Sequence, residues 1–394
     1  MPPMKKTNLS RREMLTAAAA ASFGTAIFSP ATAFAAQQQQ TANIIEGKDP
    51  GVHPPIPEIT YDLLNSSGRW VGSAGSAMEA TLAEFKPSEH IAGVSMRLKP
   101  GALRELHWHA IAAEWAYVLE GKVMGTVISP NGEASTDIFL PGDLWYFPRG
   151  HGHAVQNVGQ TDAHFIIGFD DGHFSEYGTF SITDWISKTD PKIAARNLGV
   201  SEAVIRSMPQ KEAYIIHGTI PTNIPEEYLS GELQETQTKH KFSLSKAPIE
   251  RYDGGWIRRA TQKEFPINGT LTSVLQEINP GAVRELHWHP NADEWQYIIS
   301  GRGRINVFGA HGRSRIAEYG PGMVVFVQQG FGHYVENIGR EPLKFFALFN
   351  SPNFEEISIS KWLAGNPASL IADNFGIPKS EVAKLPKKTL GFLK

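Results

Sequence analysis

The sequence contains no cysteine, and this absence narrows the chemistry that the protein can use. A chain without cysteine forms no disulfides, offers no thiolate to a metal and has no cysteine nucleophile. Any metal that it binds must therefore be held by nitrogen and oxygen donors, which histidine and the acidic side chains supply.

A strong charge of either sign is also lacking. The chain has 37 Lys and Arg residues against 40 Asp and Glu residues, a formal net charge of −3, and its basic residues form no cluster. Because nucleic-acid binding requires a basic patch, nucleic acid is not an expected partner. The Ala-rich apolar run over residues 15–28 is shorter than the ~20 residues that a membrane span needs.

That apolar run fits an export signal. Residues 10–15 read Ser-Arg-Arg-Glu-Met-Leu, a twin-arginine pattern, and Ala33-Phe34-Ala35 matches an A-x-A cleavage site. We predict a twin-arginine signal peptide over residues 1–35, a periplasmic or secreted protein and no membrane contact after cleavage, with a retained anchor as the alternative. Residues 36–60 are rich in Gln, Pro and Gly and predict an extended linker or arm.

The most informative feature is an internal repeat. Five residues occur twice, and all five are separated from their counterparts by the same interval along the chain. The first set is Arg104, His107, His109, Glu114 and His153, and the second is Arg284, His287, His289, Glu294 and His333. A repeat in constant register indicates a duplicated domain. We predict an N-terminal domain over residues 61–235 and a C-terminal domain over residues 236–394.

Each set has the composition of a metal site. Two histidines at positions i and i+2 of a strand point to the same face. A carboxylate a few residues further on and a third histidine from a neighbouring strand complete a site of three nitrogens and one oxygen. Imidazole suits Zn, Cu, Fe and Ni, and the added carboxylate moves the preference towards Mn. The predicted ligands are His107, His109, Glu114 and His153 in the first copy, and His287, His289, Glu294 and His333 in the second.

Short strands separated by turn signals predict an all-β fold. Alternating or β-branched runs mark strands at residues 93–98, 116–119, 122–128 and 164–169, with Pro-Gly and Asn-Gly turns in the intervening stretches. Such a pattern is typical of a β-barrel or sandwich. Helical segments that begin near Ser181 and Ser358 predict a short helical tail on each copy.

The copies differ at one place close to the predicted sites. Phe169 and Phe349 keep the constant interval of the repeat, whereas Trp185 and Trp362 lie closer together, so the first copy carries three extra residues between these points. We name residues 170–180 the lid segment, because a longer loop directly after a strand is a candidate lid. A surface loop without a role is the alternative.

These residues resemble the cupin superfamily, and the two copies resemble a bicupin. The strings Arg-Glu-Leu-His-Trp-His at 104–109, Gly-Asp-Leu-Trp-Tyr-Phe-Pro at 142–148 and Gly-His-Tyr-Val-Glu-Asn-Ile-Gly at 332–339 are similar to those of the bacterial oxalate decarboxylases. The resemblance covers most of the chain after the predicted linker. It implies two β-barrel domains of the jelly-roll, or double-stranded β-helix, type.

The resemblance also implies an activity. It implies one Mn ion in each copy, dioxygen as a co-substrate and the conversion of oxalate to formate and CO2, in a hexamer built of trimers. It implies that Arg104 orients the substrate, with Arg284 as its counterpart in the second copy, and that a lid glutamate transfers the proton. The family pattern Ser-Glu-Asn-Ser-Thr reads Ser-Glu-Tyr-Gly-Thr at residues 175–179, so Glu176 is the candidate acid and base.

Departures from the family pattern keep further hypotheses open. Tyr177 and Gly178 replace the Asn and Ser of the lid, a change that could admit oxalate oxidase chemistry, which yields CO2 and hydrogen peroxide. A non-catalytic bicupin is a second hypothesis, and a bicupin loaded with zinc or iron is a third. The family has a glutamate where this chain has Ala347, and we interpret the match of Glu356 to Glu176 at the repeat interval as coincidental. The first site is therefore expected to carry the chemistry and the second a structural metal.

Several neighbours of the predicted ligands receive different roles. Trp145 is a candidate for lining the pocket, and Glu105 is expected to be a structural partner because it follows Arg104 on the strand. His151 has no histidine counterpart in the second copy and is not expected to be a ligand. Trp108 lies between two ligand histidines and is expected to face away from the metal, towards packing contacts.

Overall fold

The structure is a computed structural model that describes residues 53–222 and 239–394. The predicted signal peptide at residues 1–35 and most of the predicted linker at 36–60 lie outside the described residues, as do the side chains of Glu176 and Tyr177. The described chain consists mainly of antiparallel strands, which confirms the predicted all-β class. The domain boundaries at residues 61–235 and 236–394 remain predictions.

The first half of the chain folds into two antiparallel sheets. Its strands are β1 (Thr60–Asp62), β2 (Trp70–Gly72), β3 (Gly75–Ala80), β4 (Ala92–Leu98), β5 (Leu103–His109), β6 (Glu114–Glu120), β7 (Val123–Ile128), β8 (Ala134–Phe139), β9 (Asp143–Phe147), β10 (Gly152–Asn157), β11 (Ala163–Phe169), β12 (Thr179–Ser181) and β13 (Ile215–Ile216). One sheet has the order β9-β6-β11-β4-β3-β2, and the other has the order β12-β5-β10-β7-β8 with β13 also paired to β5. The four strands predicted from the sequence are β4, β6, β7 and β11, so those predictions are confirmed.

The second half repeats this arrangement. Its strands are β14 (Lys241–Ser243), β15 (Glu250–Tyr252), β16 (Gly255–Ala260), β17 (Thr272–Ile278), β18 (Val283–Trp288), β19 (Glu294–Ser300), β20 (Gly303–Phe308), β21 (Ser314–Tyr319), β22 (Met323–Val327), β23 (Gly332–Asn337), β24 (Leu343–Phe349), β25 (Ile357–Ser358) and β26 (Phe392–Leu393). The sheets have the orders β22-β19-β24-β17-β16-β15 and β21-β20-β23-β18-β25, with β26 also on β18. Two jelly rolls of matching strand order follow from the duplicated sequence.

The two jelly rolls exchange edge strands. β1 pairs with β22 of the second half, where Thr60 lies opposite Val325, and β14 pairs with β9 of the first half, where Lys241 lies opposite Trp145. Each long sheet therefore gains a seventh strand from a segment that leads into the other half. Covering an edge strand in this way removes an unpaired row of backbone donors and acceptors.

Short helices follow the strands of each half, as the sequence predicts. They are α1 (Phe174–Tyr177), α2 (Ile182–Lys188), α3 (Pro191–Leu198), α4 (Glu202–Ser207) and α5 (Ile359–Ala364), and a 3-10 turn covers Leu244–Lys246. Ser181 and Ser358 begin α2 and α5 because their hydroxyls accept hydrogen bonds from backbone N–H groups of the first turn. Residues 368–382 belong to a separate compact unit and form α6 (Ala368–Phe375) and α7 (Lys379–Val382). Across residues 53–222 and 239–394, every helix is too short or too polar to cross a bilayer.

Each jelly roll encloses its own apolar core, and a third core joins the two halves. In the third core the ring of Phe346 lies 5.3 Å from Trp115 and 6.2 Å from Trp295, measured between centroids. Gly93 and Gly168, which pair across β4 and β11, leave the space for this contact. A Cβ atom on Gly93 would lie 2.2 Å from the Trp295 ring, so a side chain there would force the ring to move.

Candidate metal centres

Three strands of the first jelly roll bring the predicted ligands together. His107 and His109 lie on β5, Glu114 begins β6, and His153 lies on β10 directly opposite His107 in the strand register. All four side chains are buried, and one donor atom from each lies within 4.8 Å of the others. We call this group of four the first cradle.

The hydrogen bonds behind the first cradle fix the orientation of each ring. Nδ1 of His107 contacts the carbonyl oxygen of Glu105 at 2.6 Å, and Nδ1 of His153 contacts that of His151 at 2.8 Å. A carbonyl accepts only, so Nδ1 carries the hydrogen and donates it. The Nε2 lone pairs of both rings are therefore left for a metal.

Nε2 of His109 is also left free of hydrogen, because Nδ1 of this ring contacts a hydroxyl group. Its Nδ1 lies 2.9 Å from Oγ1 of Thr179, and that hydroxyl donates its own hydrogen to the carbonyl of Phe174 at 2.9 Å. The hydroxyl must then accept from Nδ1 of His109, which leaves Nε2 unprotonated. Trp145 donates from Nε1 to Oε1 of Glu114 at 2.8 Å, which holds the carboxylate in place.

The second jelly roll builds an equivalent group, the second cradle, from His287, His289, Glu294 and His333. His287 and His333 lie opposite each other on β18 and β23, as their counterparts do in the first half. Their Nδ1 atoms contact the carbonyl oxygens of Glu285 and Phe331, and Nδ1 of His289 contacts that of Glu355. All three rings therefore direct Nε2 inward.

The inner atoms of the second cradle are unsatisfied. Oε2 of Glu294 lies 3.2 Å from Nε2 of His289 and 2.9 Å from Nε2 of His333. Among the described residues, none of these three buried atoms has a hydrogen-bond partner. Buried polar atoms are rarely left without a partner, so this convergence fits a bound cation. The donor set suits a divalent metal in both cradles.

Electrostatics keep the donors in their metal-binding forms. Burial lowers the pKa of His109 to about 4, and burial together with Arg104 lowers the pKa of His107 well below its usual range. Burial alone would raise the pKa of Glu114, but the facing His153 and His109 rings outweigh it and lower that pKa. At neutral pH His107 and His109 are thus neutral and Glu114 is ionised, the forms that bind metals.

Arg104 reaches the same interior because β5 is irregular. Arg104 and His107 are three positions apart and would face opposite sides of a regular strand. The pairing of β5 with β10 shifts between the His107–His153 pair and the Arg104–Val155 pair, which places an extra residue in β5. Such a bulge reverses the alternation. The same shift between Arg284 and His287 in β18 turns Arg284 inward.

The first cradle opens into a cavity of about 180 Å³. Its lining combines polar side chains, among them Arg104, His107, His109 and Glu212, with apolar ones such as Phe165. The volume is far above the roughly 15 Å³ that one water needs. A small polar molecule can therefore reach the metal donors and the guanidinium group at the same time.

Arg104 is held by the tail of the first half. Its guanidinium donates from NH1 to the carbonyl of Tyr214 at 3.1 Å and stacks on the Tyr214 ring, 3.9 Å from the centroid. NH2 lies 3.2 Å from Oε1 of Glu212. Sequence reasoning missed Glu212 and Tyr214, because neither belongs to the internal repeat and their proximity to Arg104 comes from the pairing of β13 with β5.

The lid segment lies along the cavity. Phe174, Ser175 and Thr179 line it, and Glu176 lies between them in α1, with its side chain outside the described part of the chain. Gly178 accepts a hydrogen bond at its carbonyl from the backbone N–H of Ala110 at 2.7 Å. The extra residues of the first copy thus form a helical turn beside the first cradle.

In the second half, Arg284 has a different carboxylate partner from its counterpart Arg104. Its NH2 group pairs with Glu356, and its NH1 group donates to the carbonyl of Gly391 at 3.2 Å. Strand register places Ser358 opposite His287 and Ser181 opposite His107, so Glu356 corresponds to Thr179 and not to Glu176. This register supports the interpretation that the spacing of Glu356 is coincidental.

The other neighbours behave largely as the sequence predicts. Glu105 accepts hydrogen bonds from the Ser181 and Thr183 hydroxyls and from two backbone N–H groups of the tail, so it is a structural partner. Trp108 stacks on Phe180 at 5.4 Å, away from the cradle. Trp145 differs from its prediction: it does not line the cavity of the first cradle, and it donates a hydrogen bond to Glu114 instead.

Comparison with known proteins identifies the family. The model of the cupin family matches residues 64–206 and 243–383. The oxalate decarboxylase OxdC of Bacillus subtilis is 39% identical over 337 residues, which cover 85% of this chain and 86% of that protein. A probable oxalate decarboxylase of Arthroderma benhamiae is 31% identical over 84% of this chain and 82% of its own length.

Solved structures agree with these sequence relationships. The structure of the B. subtilis oxalate decarboxylase at pH 4.6 matches with a TM-score of 0.81 and 37% identity over 87% of this chain and 89% of that chain. Another structure of that enzyme, with the same score and identity, belongs to an EPR study of its Mn(II) centres. The duplicated cradles, the two family matches and these relatives together show that the chain belongs to the cupin family, as a member of the bicupin oxalate decarboxylases.

Proposed function

We propose that this protein is a manganese- and dioxygen-dependent oxalate decarboxylase, and that its first centre converts oxalate to formate and CO2. One observation carries the proposal: the first cradle shares its cavity with the buried guanidinium of Arg104. A metal and an arginine facing one small cavity suit a dianion with two carboxylates. The oxalate decarboxylases to which the chain is similar support this substrate.

The charges of the first centre favour an anion. Three neutral imidazoles and Glu114 give the cradle one formal negative charge, so a divalent ion leaves it net positive. We assign the cradle to Mn, which suits a site of mixed nitrogen and oxygen donors; when bound, the ion supplies Lewis-acid and redox chemistry. Arg104 adds a buried cation that can hold the second carboxylate, provided that Glu212 releases it.

The reaction requires one well-timed proton. The carbon–carbon bond of the oxalate dianion breaks, CO2 leaves, and one proton is delivered to the remaining carbon to give formate. We assign this delivery to Glu176, which lies in α1 beside the cavity. A carboxylic acid held over a site that excludes water can protonate the carbon before another reagent reaches it.

The runner-up is an oxalate oxidase, in which oxalate and dioxygen with two protons give two CO2 and hydrogen peroxide. Tyr177 and Gly178, where the family has Asn and Ser, keep this alternative open. Formate and hydrogen peroxide should be measured from oxalate under air, with the metal content of the same sample. We expect formate as the main product; peroxide in proportion to oxalate consumed would favour the oxidase.

The role of Glu176 has its own test. Glu176→Gln should abolish formate production while two metals per chain remain, because the proton source is lost and the ligands are untouched. Glu355→Gln, an exposed glutamate in the equivalent region of the second half, is the matched control and should behave as the parent protein. Unchanged formate output from Glu176→Gln would remove Glu176 from the mechanism.

We assign the second cradle a structural metal. Arg284 already faces the carboxylate of Glu356 within the chain, and Ala347 stands where the family has a glutamate. A bound metal that ties β18, β19 and β23 together contributes to the free energy of folding.

We further propose export by the twin-arginine route and assembly into a hexamer. The twin-arginine pattern at residues 10–15 supports export.

Matching apolar side chains on both halves are exposed, which supports burial between subunits. They include Leu106 at 57% and Leu286 at 46%, and Trp185 at 63% and Trp362 at 57%. Fractionation of cells that express the full chain, followed by light scattering on the released protein, tests both.

A further inference from the structure

Glu79 is a buried acid that the proposed reaction does not use. It lies on β3, it is 5% exposed, and both of its carboxylate oxygens accept hydrogen bonds from hydroxyl groups. Ser175 donates to Oε2 at 3.0 Å, and Tyr214 donates to Oε1 at 3.3 Å. Burying a carboxylate is costly unless such donors compensate, so its presence on this strand requires an explanation.

The two donors belong to the two elements that border the first centre. Ser175 precedes Glu176 in α1, and Tyr214 carries the ring on which Arg104 rests, 3.9 Å from the centroid. One carboxylate therefore joins the turn that bears the proposed proton donor to the support of the proposed substrate-binding arginine.

The backbone of Tyr214 is strained, because it has a conformation that favours glycine. Tyr214 has φ of 65°, in the left-handed region that favours glycine, and its counterpart in the second half is Gly391, with φ of 68°. The counterpart follows from the register, because Ile215 pairs with Arg104 and Phe392 pairs with Arg284. A strained residue that persists beside a site indicates that its side chain is needed there.

Residues 239–394, the described part of the second half, lack this arrangement. Glu79 lies opposite Val94, and the equivalent position opposite Val274 is Arg259. The hydroxyl donor Tyr214 is replaced by Gly391, and the segment that corresponds to the lid segment is three residues shorter. The buried acid, its tyrosine donor and the longer lid segment thus occur together, in the half to which we assign the chemistry.

We propose that Glu79 is a positioning residue of the first centre, which fixes α1 and Tyr214 relative to the cradle by accepting their hydrogen bonds. This inference rests on the proposed function for its kinetic consequence, but not for its structural one. Burial raises the pKa of Glu79, and the hydroxyl donors oppose that effect, as expected for an acid kept in place by hydrogen bonds.

Hydrogen exchange tests the structural consequence without any turnover. In the metal-loaded protein, Glu79→Ala and Ser175→Ala should each speed amide exchange in peptides covering residues 170–180 by about tenfold, the scale of one lost hydrogen bond. Ser175→Thr keeps the hydroxyl and should restore the parent rate. Arg259→Ala, at the equivalent position in the second half, is the matched control and should leave this region unchanged.

Kinetics on oxalate test the functional consequence. Ser175→Ala should lower kcat for formate about tenfold, with a KM within about twofold of the parent value, because a misplaced donor slows the chemical step without removing the anion site. The double variant Glu79→Ala/Ser175→Ala should be no slower than Glu79→Ala, since both changes break the same contact. The fraction of oxalate converted to peroxide should rise in all three.

The outcomes separate the inference from the proposed function. Parent exchange rates in Glu79→Ala and Ser175→Ala would overturn the inference, as would additive kinetic losses or faster exchange with unchanged kcat. If Glu79→Ala does not fold, the Ser175→Ala and Ser175→Thr pair decides the same question. A parent protein that binds metal, shows the expected exchange pattern and leaves oxalate untouched would refute the proposed function and retain the structural contact.

Discussion

At the scale of single residues, the two cradles depend on hydrogen bonds that decide which ring nitrogen carries the hydrogen. Every ligand histidine contacts an acceptor through Nδ1 and directs Nε2 inward. These contacts hold the ligands ready before a metal arrives, which lowers the reorganisation that metal binding requires.

Loss of one ligand should empty one cradle only. His153→Ala should lower the metal content from two ions per chain to one, and His333→Ala should do the same at the other cradle, because each removes one of three imidazoles. His151→Ala is the control, since the residue supplies only its backbone carbonyl to His153. Elemental analysis after dialysis measures the content; two ions retained in His153→Ala would contradict the assignment.

A buried histidine outside the cradles predicts a pH-dependent stability. His164 on β11 is 3% exposed, its Nε2 lies 2.9 Å from the Ser95 hydroxyl, and burial together with Arg97 lowers its pKa to about 3. Between the ordinary pKa of about 6.5 and this value, the unfolded chain binds a proton that the folded chain does not. Stability should therefore fall as the pH drops through this window.

The contribution of His164 can be isolated by substitution. The free energy of unfolding of the parent should lose up to about 1.4 kcal/mol per pH unit below pH 6.5 relative to His164→Gln, and the two curves should run parallel above it. Urea unfolding of both proteins between pH 5 and 8, at a fixed metal concentration, gives the difference. Parallel curves over the whole range would show that His164 is not the group responsible.

At the scale of elements, the bulges in β5 and β18 and the glycine pair of β4 and β11 shape the molecule. The bulges let an arginine and two histidines of one strand share an interior. The glycines let the second half pack Trp295 and Leu348 onto the first half. Both features are properties of the backbone. A regular strand would turn the arginine away from the interior, and a side chain in place of either glycine would clash with the second half.

Filling the glycine gap should weaken the contact between the halves. Gly93→Ala places a Cβ against Trp295 and should lower the free energy of unfolding by about 1–3 kcal/mol, the usual cost of overpacking a core. Gly320→Ala is the control, because no atom of the described residues lies within 4 Å of the Cβ that it would add. Denaturant unfolding compares them; equal stability of the two variants would contradict the role of the gap.

At the scale of the whole molecule, the metals are expected to act as crosslinks. Each cradle draws its donors from three segments of its own jelly roll, so an ion that binds only the folded chain stabilises it. Chelation should lower Tm by about 10 °C, if each bound metal adds about 3 kcal/mol to the free energy of unfolding. Added Mn should restore Tm, and His153→Ala should show about half of the loss; a Tm that does not respond to chelation would refute this expectation.

The sequence by itself determined the duplication, the all-β class and both sets of donors. The constant spacing between the two sets is a one-dimensional property, and the alternation of side chains along a strand places His107 and His109 on one face without further information. The turn signals likewise located β4, β6, β7 and β11, because local backbone preferences decide where short strands end.

Only the tertiary structure decided which other groups meet the donors. The bulge that turns Arg104 inward arises from pairing with β10, and the contacts of Glu79 with Ser175 and Tyr214 join residues 96 and 135 positions apart. The exchange of β1 and β14 between the halves is of the same kind. Such contacts depend on which strands become neighbours, and the free energy that selects those neighbours comes from burial of the whole core, so no local pattern in the chain encodes them.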